Sequence, residues 1–383
     1  MSTINILVGG DVCPTARNFS SFQRGDAAAL FHDLLEEMEK ADLRVVNLEC
    51  PLIESESPIP KTGPVLGAEG ACIHGLKAAR IDVVGLANNH VLDHGEAGLR
   101  TTLAACARVG IATVGAGADL EAAQRPFLTR LGGVRVAILA VAEHEWSIAT
   151  EDSWGAAPLD LIENVRIIRR YRAEYDYLIV LLHGGNEHYP FPSPRLMETC
   201  RFLVEEGANA VLCQHSHCAG CYENYQNGHI VYGQGNFIFD SPGREAAWHE
   251  GFLVRLSIRP DFSSTMEIIP YTQSGAEIGA RKMQGEQAQA FLETIRARSE
   301  AIQDKAFVRA QWAQFCAQKR HWALGQALGF NRLMHRFNRG GKLVRLLYSD
   351  QALRYLHNVV RCEAHHETLL TILDARWQRH SQN

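Results

Sequence analysis

The chain is poor in the features that mark a secreted or membrane-spanning protein. No stretch supplies the roughly 18 uncharged apolar residues that a bilayer-crossing helix needs. The opening MSTINILVGGDV lacks the basic segment and long apolar run of a secretory signal. A soluble, cytoplasmic product without membrane insertion is therefore expected. Cysteine is sparse, ten in 383 residues, and several lie in apolar runs such as ACIHGL, which suits reduced thiols better than a disulfide framework. Cys218 and Cys221 form a single C-x2-C with no second pair at a matching distance, which argues against a structural zinc module. There is no fixed-period repeat and no low-complexity tract, so a solenoid or disordered array is excluded. A formal net charge of −5 gives little support to a nucleic-acid or acidic-lipid surface. The exception is local: Lys319 to Arg345 contains no Asp or Glu. That segment reads as the solvated face of a helical bundle or as a patch for an anionic substrate or partner.

What is present is an ordinary globular balance, 46% hydrophobic and 21% charged, arranged as short β-branched runs alternating with helical segments. INILVGG, LRVVNLE, IDVVGLANN, VRVAILAVA, DYLIVLLHGG and ANAVLCQHSH read as strands. FHDLLEEMEKA, GACIHGLKAAR, GEAGLRTTLAACARVG, APLDLIENVRIIRRYRAEY and RLMETCRFLVEEG read as helices. Continuous apolar strands need cover on both faces, which implies a layered α/β architecture. GFLVRLSIRPDFSSTMEIIPYT reads as a closing hairpin. The expected division is a catalytic unit over 1–275 and a helical region over 276–383.

Five strands end in polar chemistry: GGDV, NLE, NNH, HGG and QHSH. Ligand sites in open α/β sheets lie at such carboxyl edges. His215 and His217, one residue apart in an extended segment, would project from one face and offer two neutral nitrogens to a divalent ion. Asp11, Glu49 and His183 add carboxylates and a third imidazole, and Gly9-Gly10 permit close backbone approach. This mixed N/O set suits manganese, zinc or iron. It exceeds one tetrahedral ion, and Asp11 or Glu49 could bridge a pair, giving one or two divalent metals with a catalytic role. Asn88 reads as a turn residue bonding its own backbone.

The order GD…NLE…NNHxxDxG…HGGNEHY…QHSHCAG…VYGQGNF, from about Ile4 to Tyr271, resembles the bacterial CapA family of capsule or poly-γ-glutamate synthesis proteins. That family looks like a branch of the calcineurin-like metallophosphoesterases. The resemblance implies a four-layer α/β/β/α sandwich, with an added C-terminal helical region, and a dinuclear site at the strand ends. It implies metal ligation by Asp11, Glu49, Asn89, His183, His215 and His217. It assigns His90 to leaving-group protonation or charge stabilisation, with Asp93 orienting its imidazole. The phosphoesterase pattern opens D-x-H, whereas Asp11-Val12-Cys13 offers a thiol. Lys61, Arg17 and Glu187 are candidates for substrate contact, Glu187 also for ligation. Asn236 is expected to shape the loop beside His215 and His217. His144 and Glu145 could line the pocket, and His249 reads as a loop histidine.

The function implied is a metal-dependent hydrolase using a metal-activated water on an amide or ester bond of a small-molecule or short peptide-like anionic substrate, γ-glutamyl or a related carboxylate. Phosphoester hydrolysis and a non-catalytic, metal-binding role in a polymer-synthesis complex are the alternatives. A homo-oligomer built through the C-terminal helices is the expected assembly.

Overall fold

The computed structural model describes residues 2–380. Its two large sheets contain fourteen strands. The first four are β1 (Ile4–Cys13), β2 (Leu43–Leu48), β3 (Val83–Gly85) and β4 (Ala112–Val114). The middle six are β5 (Phe127–Leu131), β6 (Val134–Ala142), β7 (Tyr177–His183), β8 (Ala210–Gln214), β9 (Tyr222–Tyr225) and β10 (Gly228–Val231). The last four are β11 (Asn236–Phe239), β12 (Glu250–Ile258), β13 (Ser264–Gln273) and β14 (Ala280–Lys282). The first and last groups share one eight-stranded sheet, ordered β14-β13-β12-β1-β2-β3-β4, with β11 beside the end of β1. The middle group forms the second sheet, ordered β9-β10-β8-β7-β6-β5.

Strand periodicity shows how the sheets stack. Along β6, Val134, Val136, Ile138 and Ala140 join one core cluster with Ile6, Val8 and Val12 of β1. The alternate residues Ala137, Leu139 and Val141 join a second cluster with Ile167 and Leu203. β7 divides the same way, with Ile179 and Leu181 in the first and Val180 and Leu182 in the second. One face of the second sheet thus meets the first sheet. Its other face meets α2 (Leu161–Arg170) and α3 (Pro194–Glu205). α1 (Gly95–Val109) buries Leu99 and Cys106 in the first cluster. The result is the layered arrangement that strands apolar on both faces require.

Three helices differ from their sequence reading. GACIHGLKAAR is a 3-10 turn at Gly70–Cys72 followed by a helix from Ile73 to Ala78. FHDLLEEMEKA is interrupted, running as Ala27–Phe31, a 3-10 turn at His32–Leu34 and Leu35–Glu39, because His32 takes φ 43° at the junction. APLDLIENVRIIRRYRAEY is helical only from Leu161 to Arg170. Asp160 caps its start by accepting hydrogen bonds from the Ile162 and Glu163 amides.

Beyond the hairpin, β14 adds to the first sheet, and α4 (Gly285–Ala301) buries Phe291 and Ile295 in its core. Contacts accordingly gather residues 1–310 in one compact unit and 311–383 in another. The second unit is helical, with segments Arg332–Phe337, Lys342–Leu347 and Asp350–Arg361 after the long helix Lys305–Ala327. Its interior is small: Phe330 and Val344 are its buried large apolar side chains among the described residues.

Candidate metal centre

The parallel register brings the polar strand tips together. Asp11 pairs with Asn47 on β2 and with Asn236 on β11, while His183 ends β7 opposite Gln214 of β8. β1 can lie this close to its neighbour because of glycine: a Cβ on Gly10 would fall 2.1 Å from the Gly235 carbonyl oxygen. His215 and His217 follow β8, but strand alternation is not what aims them. Both lie past the strand with left-handed backbones, φ 95° and φ 52°. Such conformations are costly for non-glycine residues and gather at functional sites. The turn places the two rings 6.0 Å apart.

Two groups of candidate ligands result, Glu49 with His183 and His215, and Asp11 with Glu49 and His217, each with donor atoms within 4.8 Å of one another. Glu49 belongs to both. Its Oε1 stands 3.7 Å from Nε2 of His183 and 3.7 Å from Nε2 of His217. Ligands about 2.1 Å from a zinc ion at tetrahedral angles lie about 3.4 Å apart, so these spacings suit a small divalent cation. The chemistry of Glu49 supports the same reading. Both carboxylate oxygens are fully buried and have no hydrogen-bond partner. An orphaned buried carboxylate is costly unless a cation meets it.

The surrounding electrostatics fit a donor set built for a cation. Burial pushes the Asp11 carboxyl up to about 6, against hydrogen bonds from the Asn47 side chain and the His215 amide. Burial, with the Asp11 charge nearby, raises Glu49 well above the usual carboxylate range. Burial lowers His183 and His215, and takes His217 down to about 3. The imidazoles are thus held neutral, the form that ligates.

Neighbouring side chains orient these donors. Asn236 Oδ1 lies 2.8 Å from Nδ1 of His217, which assigns the ring proton to Nδ1 and leaves Nε2 toward Glu49. Asn89 donates its Nδ2 to Glu145 at 3.2 Å, turning Oδ1 to within 3.0 Å of His183 Nε2. Asn47 donates to Asp11 at 2.7 Å and lies 3.3 Å from His183 Nδ1. It is absent from the sequence-derived site, although its i, i+2 relation to Glu49 was a usable signal. Asn88 does bond locally: its Oδ1 accepts from the His90 amide, and its Nδ2 donates to Asn47 and to the Leu48 carbonyl. Trp248, also unanticipated, lies against the His217 ring at 4.8 Å.

Beside the ligand groups, His90 Nδ1 is 2.6 Å from Asp93 Oδ2, and the Lys61 ammonium is 2.5 Å from Asp93 Oδ1. The Leu66 amide also donates to Asp93. Lys61 is buried at its tip and committed to Asp93, with His90 Nδ1 3.4 Å away. Arg17 binds Asp240 at 2.9 Å and the carbonyls of Gly275 and Ala276. Glu187 is exposed, 3.9 Å from His188, and stands in neither ligand group. Cys13 is also in neither group. Its thiol faces Cys50, and that contact together with burial raises it well above the ordinary thiol value. His144 is exposed, and His249 bonds the Gln273 carbonyl through Nδ1.

The chain is 26% identical over 250 residues to the capsule biosynthesis protein CapA of Bacillus anthracis, covering 63% of this chain and 60% of that one. It is 31% identical over 228 residues to a probable polyglutamine synthesis accessory protein of Mycobacterium tuberculosis, covering 54% of this chain and 59% of that one. The chain therefore spans about three fifths of the length of these relatives. Among solved structures, a hypothetical protein from Thermus thermophilus aligns with a TM-score of 0.44 at 16% identity, over 73% of this chain and all of that one. Residues 5–241 match the family described as bacterial capsule synthesis protein PGA_cap, and with its strand-end cluster of carboxylates and imidazoles the chain belongs to that family.

Proposed function

We propose that the protein is a metal-dependent hydrolase acting on an amide or ester bond of an anionic, carboxylate-bearing substrate of the γ-glutamyl type. The observation that carries this reading is Glu49, a buried carboxylate without partners, shared by two sets of imidazole and carboxylate donors. Asp11, Glu49 and His217 would hold one divalent ion, and Glu49, His183 and His215 another, with Asn89 beside His183. Bound manganese, zinc or iron supplies Lewis acidity, activating water and stabilising charge on the oxygen of the scissile group.

The chain's own residues supply proton handling. Asp93 accepts from His90 Nδ1, so Nε2 is the nitrogen left to exchange a proton with the departing group. Lys61 and the Leu66 amide hold Asp93 in place and keep the imidazole from rotating. This makes His90 the catalytic residue and Asp93 and Lys61 positioning residues. The substrate class is supported by the names of the relatives, which are capsule and polyglutamine synthesis proteins.

The test combines metal analysis of the purified protein with turnover of γ-glutamyl amides, carboxylic esters and p-nitrophenyl phosphate. His90→Ala is expected to keep its metal and to lose about 10²- to 10⁴-fold in turnover. Full activity in that variant would remove His90 from the chemistry. Failure to take up Mn²⁺, Zn²⁺ or Fe²⁺ would overturn the hydrolase, and turnover confined to the phosphate ester would replace the bond type.

A further inference from the structure

We infer that residues 311–383 form a peripheral docking surface for a membrane containing anionic lipid. The net charge of −5 conceals two opposed halves. Residues 311–383 carry eleven Lys and Arg against four Asp and Glu, a net +7, while residues 1–310 carry 27 against 39, a net −12. No acidic residue occurs from 305 to 349. Charge asymmetry of this kind marks a part of a chain that meets an anionic partner.

Apolar exposure is concentrated in the same place. Of fifteen large hydrophobic side chains exposed among the described residues, eleven lie beyond residue 310. Leu333 and Phe337, each 63% exposed, are four apart on one helix and share a stripe, with Arg332 and Arg336 on the adjoining one. Leu346, 78% exposed, and Leu347 end the next helix, just after Lys342 and Arg345. Isolated exposed leucines need no explanation, but apolar tips interleaved with cations over one acid-free segment do.

A lipid surface satisfies both features. Guanidinium and ammonium groups meet headgroup phosphates while Leu, Phe and Trp tips enter the boundary of the acyl region. A soluble polyanion would use the cations and leave the apolar tips in water. A second copy joined through the same region would bring two segments of net +7 together. No helix among the described residues is long and apolar enough to cross a membrane, and the contact inferred for this region is a peripheral one. It does not depend on the hydrolase reading.

The test is co-sedimentation of the full chain with vesicles of phosphatidylcholine alone and with vesicles that also contain phosphatidylglycerol. Partition onto the anionic vesicles only is expected, falling at least about tenfold as salt rises from about 0.05 to 0.5 M. Arg336→Glu with Arg339→Glu should weaken it at least about tenfold, and Leu333→Ser with Leu346→Ser should weaken it as well. These side chains are exposed, so circular dichroism and metal content should match the parent. No partition onto anionic vesicles, equal partition onto both kinds, or insensitivity to all four substitutions overturns the inference. So does a dimer that the same substitutions dissociate, or binding to soluble polyglutamate, where vesicles are not bound.

Discussion

His217 has two ring nitrogens, and only one can serve a cation. Asn236 settles which, because its side-chain oxygen lies 2.8 Å from Nδ1 and so leaves Nε2 beside Glu49. The left-handed backbone at His217 adds a conformational cost that the surroundings must sustain. Asn236 contributes to that frame too, donating to the Trp248 carbonyl at 3.3 Å. Replacing it with alanine frees the imidazole to rotate and to exchange tautomers. Asn236→Ala is therefore expected to weaken metal binding by about 10- to 100-fold, measured by competition with a chromogenic chelator. Unchanged affinity would show that the ring is held by Trp248 packing alone.

Helix Leu35–Glu39 is tied to the edge of the first sheet through Glu37, which meets Arg255 on β12, Lys282 on β14 at 3.0 Å, and Lys40 on its own helix end at 3.0 Å. Burial by itself would raise this carboxyl, but the hydrogen bonds from Lys282, Arg255 and Lys40 outweigh it and bring it from 4.5 down to about 2. A depressed carboxyl stabilises the fold above its unfolded value and loses that contribution as pH falls through the folded one. Glu37→Gln should thus cost on the order of 2–3 kcal/mol at neutral pH. The deficit should shrink from pH 4.5 toward pH 2, read from urea unfolding at several pH values. A deficit that stays constant over that range would locate the cost in packing instead. At this scale much was legible beforehand. VRVAILAVA is the strand Val134–Ala142 because an apolar run covered on both faces has no better conformation. Polar residues interrupting such runs at their ends marked the site. The aim of His215 and His217 was not legible, since it comes from backbone turns past the strand. Nor was β14, whose polar sequence Ala-Arg-Lys pairs only because β13 offers an edge. Asn47 sits inside an apolar strand, where its i, i+2 spacing from Glu49 was the one sequence signal, and its partner Asp11 comes opposite it only through the parallel pairing of β1 and β2.

Across the whole molecule, the candidate metal centre sits where the two sheets deliver their strand tips, so a cation held there would couple occupancy of the site to cohesion of the sheets. Folding buries Asp11 and Glu49 close together, with Glu49 unpartnered, an arrangement whose cost a bound cation would offset. A ligand that binds only the native state adds stability as RT ln(1 + [L]/Kd), about 2.7 kcal/mol at a hundredfold excess over Kd. Removing metal with a chelator should lower the Tm by several degrees, a range that follows from about 2–4 °C per kcal/mol for large domains. Glu49→Gln separates the two contributions. The neutral amide removes the buried charge, so this variant should melt no lower than the chelated parent, yet gain nothing when metal is added. A variant that melts well below the chelated parent would assign Glu49 a packing role. A variant that still gains stability with metal would remove Glu49 as the shared ligand, and with it the two-ion arrangement.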